Sequence, residues 1–284
     1  MKISVIIPTF DRDASIKRAI ESVLNQTFPA TEIIIVDDAS TDKTQEILKN
    51  FGSSIKVITN TENRGVSFSR NVGIHAATSD WIAFLDSDDE WAPEKLEQQR
   101  AYHEKHRHLR ISQCDEIWIR NGVRVNPMDK HAKQGGWIFE ACVPLCIVSP
   151  SAVIIHGSLF DVIGTFDIDL PACEDYDLWL RVAAKYEVGL LNEKLVTRYG
   201  GHEDQLSRKY WGMDRFRIKA MEKHVESDLD PSWKLALLVE LKKKCGVLAT
   251  GAKKRGKLDT AKLYFSKQQN IQNKLNALNT NPDD

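Results

Sequence analysis

Two rhythms of apolar and polar positions alternate along the first hundred residues. Short, continuous apolar runs, Ile3 to Ile7, Glu32 to Val36, Ile55 to Thr59 and Trp81 to Leu85, have the length and β-branched content of strands buried on both faces. Between them the spacing changes to that of helices. Ile16, Ala19, Ile20, Val23 and Leu24 recur at helical intervals, and a helix is expected from about Gly65 to Ala77. Asp42 with Gln45 three residues on predicts a capping box opening the second helix, and Pro93 with Glu94 marks the start of another. Strands alternating with helices predict an α/β domain around a mostly parallel sheet flanked by helices.

Further along, alternation in Ile111 to Arg120 followed by Asn121-Gly122 predicts a hairpin, and Ala152 to His156 a further strand. Asp175 to Tyr186 predicts a helix with an Asp177–Arg181 pair. After Gly200-Gly201 the pattern is helical, with segments near 208–226, 231–249 and 257–277. The expected organisation is a domain over 1–205, a helical extension over 206–278 and a frayed tail over 279–284.

Charge sharpens this division. The chain of 284 residues carries a net charge of −1, yet from Trp233 to Asn276 eleven Lys and Arg stand against two acids, Glu240 and Asp259. An acidic body with a basic helical end suggests two parts with different partners. Five scattered cysteines point to reduced thiols and a cytoplasmic setting, with Cys142 and Cys146 read as small buried apolar residues. No run approaches the ~20 apolar residues that span a bilayer. Attachment at the inner face of the membrane remains open on this reading, as does assembly into a homo-oligomer.

Candidate chemistry gathers where three expected strands end. Thr9, Asp11 and Arg12 follow the first, Asp37 and Asp38 the second, and Asp86, Asp88 and Asp89 the fourth. Ligands of open parallel sheets bind beyond the carboxyl ends of the strands. Turns favour Asp anyway, but three strand ends agree. No G-x-G-x-x-G follows the first strand and no Walker A sequence is present, so glycine amides are not what neutralises a diphosphate here. Asp86 and Asp88, two residues apart, suit Mg²⁺ or Mn²⁺, which take hard oxygen ligands from one or two carboxylates and complete their shell with phosphates.

Five ordered blocks carry a resemblance. They are Ser4-Val5-Ile6-Ile7-Pro8-Thr9-Phe10, Ile35-Val36-Asp37-Asp38-Ala39-Ser40, Asn63 to Asn71, Phe84-Leu85-Asp86-Ser87-Asp88-Asp89, and Gly164-Thr165-Phe166-Asp167 with Glu174 to Arg181. Spanning about residues 3 to 205, they resemble family-2 glycosyltransferases of the GT-A fold. The resemblance implies a metal-dependent, inverting transfer of one sugar from a nucleotide sugar, UDP-sugars being favoured. The enzyme would be a hexosyl- or N-acetylhexosaminyltransferase of cell-surface polysaccharide or glycoconjugate synthesis, acting on a saccharide or lipid-linked acceptor.

Residue by residue, the resemblance implies that Pro8 and Thr9 frame the nucleotide pocket and that Asp11 lies near ribose or base. Asp37 would accept a hydrogen bond from the base, and Arg70 would face the donor. Asp86 would touch ribose or the metal and its water, and Asp88 would ligate the metal. Asp175 would be the base, with Glu174 assisting at the acceptor, and His202 a third metal ligand or phosphate donor. His156 departs from the Arg or Lys of relatives, and the processive-synthase signature Gln-x-x-Arg-Trp is absent, which favours single transfer. The competing readings are nucleotidyl transfer and a non-catalytic sugar-nucleotide or partner-binding module. For the basic helical end the readings are a hairpin packed on the domain with solvated lysines, or peripheral contact with anionic lipid. Nucleic-acid binding has only charge behind it.

Overall fold

The computed structural model describes residues 1–201 and 210–280. In chain order the elements are β1 (Ile3–Thr9), α1 (Ile16–Leu24), β2 (Glu32–Asp37), α2 (Thr44–Lys49), β3 (Lys56–Thr59), α3 (Val66–Ala76), β4 (Trp81–Phe84), β5 (Glu90–Trp91) and α4 (Lys95–Lys105). There follow β6 (Ile111–Arg120), β7 (Val123–Val125), α5 (Phe139–Cys142), β8 (Val153–His156), α6 (Ser158–Ile163), α7 (Glu174–Ala183) and β9 (Gly189–Gly200). Three helices close the described chain: α8 (Asp214–Glu222), α9 (Pro231–Lys254) and α10 (Leu258–Thr280).

Nine strands form one sheet in the order β3-β2-β1-β4-β8-β6-β9-β5, with β7 hairpinned onto β6. The half from β3 to β4 is parallel throughout. Beyond β4 the directions mix: β8 is antiparallel to β4 and to β6, β9 is parallel to β6, and β5 is antiparallel to β9. Every residue of β1 is buried, and its side chains divide between the two faces as strand pleating dictates. Ile3, Val5 and Ile7 pack with Ile16, Ala19, Ile20 and Val23 of α1, whereas Ile6 joins a core on the opposite face. On that face α3 lies so close that a Cβ at Gly73 would collide with Ile6, so only glycine fits there.

Several expectations hold in detail. Asn121 (φ 49°) and Gly122 (φ 76°) both adopt the left-handed backbone of a tight hairpin turn, and β6 pairs with β7 across it. Asp177 pairs with Arg181 at 2.8 Å and with Lys223 at 2.5 Å, which ties α7 to the chain just past α8. The capping box does not form. Asp42 accepts from the Thr44 amide at 2.8 Å, but the Gln45 amide reaches Asp37 at 2.9 Å rather than turning back to cap the helix. The long strand β9 is absent from the sequence expectations. Asn192, Glu193 and Lys194 are consecutively exposed where the ladder to β6 shifts register, which breaks the period-2 signal.

On the face holding Ile6, α9 and α10 share one core with α7. Leu237, Leu238, Leu241, Cys245, Ile271 and Leu275 are buried in the same cluster as Leu178 and Trp179. No described helix is long and apolar enough to cross a membrane.

Candidate active site

The rim at the carboxyl ends of β1, β2 and β4 is shaped mainly by short-range hydrogen bonds. Asp37 is fully buried and accepts from the Ser40 amide (3.1 Å), the Ser40 hydroxyl (2.5 Å) and Gln45. Asp11 sits at φ 47° and its Oδ1 accepts from the amides of Thr41 (2.7 Å) and Asp42 (3.3 Å), so the loop after β2 is pinned to the loop after β1. Asp38 is taken up by the amides of Arg64 and Gly65 and by Asn60, which orients the entry into α3. Pro8 and Thr9 close the buried run of β1. Thr9 is 3% exposed, and its hydroxyl oxygen has no partner among the described residues. A buried hydroxyl left unpaired at a rim is a place for a ligand to bond.

The turn after β4 is built around Ser151. Its hydroxyl accepts from the Asp86 amide (3.1 Å) and donates to Asp89 (2.7 Å), while its carbonyl accepts from the Trp91 indole (2.8 Å). Asp89 is buried and also accepts from the Tyr199 amide on β9. Burial pushes its carboxyl well above the ordinary range; Arg198 opposes this, and the charges of Asp88 and Asp86 add to it. Asp86 and Asp88 remain partly exposed, and Arg18 donates to the Asp88 carbonyl.

Arg70 joins this turn to α7. It is 3% exposed, and its two terminal nitrogens each make a 2.7 Å ion pair, one with Asp86 and one with Glu174. Its guanidinium also lies 5.0 Å from the centre of the Phe166 ring. Phe166 is held in turn by Asn71, whose side-chain amide both donates to its carbonyl (2.8 Å) and accepts from its amide (2.9 Å). Two sequence blocks some ninety residues apart are thereby locked together. Arg70 is thus a buried strut rather than a side chain open to the rim.

Helix α7 begins abruptly. Cys173 precedes it at φ 61°, a left-handed conformation that costs a non-glycine residue about 1 kcal/mol, and Glu174 and Asp175 follow in the first turn. Burial and the adjacent Asp175 charge push the Glu174 carboxyl up, while Arg70 pulls it down. Asp175 is partly exposed. Its Oδ1 accepts from the Tyr176 amide (2.7 Å) and its Oδ2 from the Cys146 thiol (3.6 Å). All five cysteines are free, and burial beside Asp175 keeps the Cys146 thiol protonated. Reading Cys146 as a small buried apolar residue did not point to this contact. Nor did the sequence single out Ser151; Gln45 was read only as half of a capping box, and Ser40 only as the end of a quoted block. Asp89 stood within a quoted block without a role.

His202 lies outside the described residues. Among the described residues no group of three or more His, Cys, Asp or Glu is placed to hold a metal ion.

Residues 4–131 match the family model for glycosyl transferase family 2. The UDP-Glc:alpha-D-GlcNAc-diphosphoundecaprenol beta-1,3-glucosyltransferase WfaP of Escherichia coli is 31% identical over 203 residues, covering 69% of this chain and 76% of that protein. Matches to other curated relatives span as little as 28% of their length. Staphylococcus aureus TarS 1–349 in complex with UDP-GlcNAc superposes with a TM-score of 0.71 at 19% identity, over 95% of this chain and 92% of that one. Mannosyltransferase PcManGT from Pyrobaculum calidifontis, in complex with GDP-Man and Mn²⁺, gives 0.63 at 18% identity, over 99% and 86%. The chain belongs to glycosyl transferase family 2, and its fold is that of the GT-A glycosyltransferases.

Proposed function

We propose that the protein transfers a single sugar from a UDP-sugar to a hydroxyl of a saccharide or lipid-linked saccharide, with inversion at the anomeric carbon. The observation that carries this reading is the Arg70 strut. One buried guanidinium holds Asp86, at the rim proposed for the nucleotide, and Glu174, beside the proposed base, each at 2.7 Å. On this reading the strut would keep the donor and acceptor ends in register, which is the positioning that transfer needs.

In this reading the nucleoside lies along the ends of β1 and β2. Asp37 is oriented by Ser40 and Gln45 toward the base, Asp11 holds the flanking loop, and Thr9 offers its unpartnered hydroxyl. The Asp175 carboxylate takes the proton of the acceptor hydroxyl as its oxygen bonds to the anomeric carbon and the bond to the diphosphate breaks. Cys146, a weak donor, lies 3.6 Å from Oδ2 and helps to orient the carboxylate. Glu174, paired to Arg70, orients the first turn of α7.

The turn after β4 offers two partly exposed carboxylates, Asp86 and Asp88, whose hard oxygens suit a divalent cation, Mn²⁺ or Mg²⁺. Asp88 and Asp86 would hold it, with His202 the remaining expected ligand. When bound, such an ion neutralises the charge developing on the leaving diphosphate. The relatives' names support the substrate classes: WfaP uses UDP-Glc and a diphosphoundecaprenol acceptor, and the PcManGT complex contains Mn²⁺. The division into a catalytic part over 1–205 and a helical part over 206–278 belongs to the same reading.

Calorimetry with UDP and GDP, with and without Mn²⁺, followed by UDP release from candidate donors, tests it. UDP binding tightened by Mn²⁺ and acceptor-dependent UDP release are expected. Absence of nucleotide binding under every condition overturns the reading, and nucleotide binding without turnover favours the non-catalytic module.

A further inference from the structure

The basic residues of the helical end fall into two sets. One faces the body and is neutralised: Lys244 pairs with Asp214 and Glu240 at 3.2 Å, Lys267 with Glu222 at 2.5 Å, and Lys274 with Glu226 at 2.6 Å. The other gathers at the turn between α9 and α10. Lys253, Lys254, Arg255 and Lys257 are all exposed, and among the described residues no acid pairs with any of them. Leu258, at the start of α10, is 69% exposed.

Trp211 stands beside this turn. It is 47% exposed, with the Arg215 guanidinium 4.1 Å and the Lys257 ammonium 5.0 Å from its ring centre. An exposed indole and leucine set among unpaired cations make the composition of a headgroup-level contact, where apolar tips enter and cations meet lipid phosphates. A solvated helix end has no need of the exposed indole, and a protein-packed one would cover it.

We propose that the α9–α10 turn, together with Trp211, docks the protein on an anionic lipid surface. The surface lies a short step from the proposed base: two residues past Trp211, the Met213 carbonyl accepts from the thiol of Cys173, the residue that precedes Glu174 and Asp175. Docking there holds the acceptor end of the site near the bilayer. What the docking serves, delivery of a lipid-linked acceptor, rests on the transfer reading above, but the docking itself is measurable without donor or acceptor.

The test is sedimentation of the full chain with phosphatidylcholine vesicles, with or without phosphatidylglycerol, in the absence of any nucleotide sugar. Binding only to the anionic vesicles, and release by raised salt, is expected. Each unpaired cation contributes about five-fold in partition near such a surface, so Lys253→Gln combined with Lys257→Gln weakens binding about 25-fold. Trp211→Ala weakens binding in a way that salt does not reproduce. Lys267→Gln, on the neutralised side, has the smallest effect. Circular dichroism and UDP affinity of these variants report that the fold is intact. Equal binding to neutral vesicles, or wild-type binding by the double variant, overturns the proposal. So does capture of RNA or an acidic polypeptide at a salt concentration where vesicles are ignored. Loss of UDP binding by the wild-type chain with vesicle docking intact would instead sink the transfer reading alone.

Discussion

In the parallel half of the sheet, Asp37, Asp11 and Asp38 are held by amides and by neutral hydroxyl and amide side chains: Ser40, Gln45, Asn60, and the backbone of Thr41, Asp42, Arg64 and Gly65. In the mixed half and on α7, the buried carboxylates Glu116 and Glu174 are held by cations. Glu116 meets Lys133 and Arg198 at 3.3 Å and accepts from Ser149 at 2.7 Å, and Glu174 meets Arg70. The first arrangement leaves a rim able to exchange its bonds for those of a nucleotide at little cost. The second fixes geometry through desolvated charge, where loss of one partner strands the other. On the proposed transfer reading, a preset acceptor side beside a more adaptable donor side suits an enzyme that must orient a base accurately.

The comparison can be broken at three points. Asp175→Asn removes the proposed base without touching the parallel half. Its expected result is transfer slowed about 10²- to 10⁴-fold, with UDP affinity by calorimetry essentially that of the wild type. Near-normal transfer would end the role assigned to Asp175. Arg70→Met cuts the link between the halves and leaves Asp86 and Glu174 facing each other unneutralised. It should lower stability by about 3–5 kcal/mol in urea unfolding, whereas a loss below about 1 kcal/mol would mean the strut carries no weight.

Glu116 gives the finest test, because its charge pairs are pH-dependent. Burial opposes its ionisation, but Lys133, Arg198 and hydrogen bonds from Ser149 and Trp118 outweigh that and hold its carboxyl down, from 4.5 to about 2. A depressed carboxylate contributes stability that is complete above its unfolded pKa and lost as pH falls through the folded one. About 3 kcal/mol should therefore disappear between about pH 5 and pH 2. Glu116→Gln should flatten that part of the profile, and chemical denaturation at a series of acidic pH values reads it out. An unchanged slope would place the charge pairing elsewhere.

The two halves also differed in how much the sequence disclosed. β1, β2 and β4 are apolar runs whose rim residues come next along the chain, so Thr9, Asp37 and Asp86 were legible from local pattern. Glu174 and Asp175 were found by resemblance alone, since nothing local distinguishes them from helix-capping carboxylates. The Arg70 strut was not legible, because its partners lie 16 and 104 residues away and only folding brings them together. Cys146 was read as a small apolar residue and is mostly that; its contact with Asp175 comes from the irregular chain after α5. β9 escaped because a bulge interrupts its alternation. The lysines of the helical end looked alike in sequence, and only their acidic partners on α8 and just after it separate one set from the other.

The core that contains Ile6 also contains Ile271 and Leu275. These residues leave the ribosome nearly the whole chain length apart, at roughly 5–20 residues per second. Ile6 is covered early, by α3, but α5 packs against α9, which follows it by about ninety residues. The nascent protein must therefore carry an apolar face on α5 for roughly 5–20 seconds, a window in which chaperone occupancy competes with association between neighbouring chains.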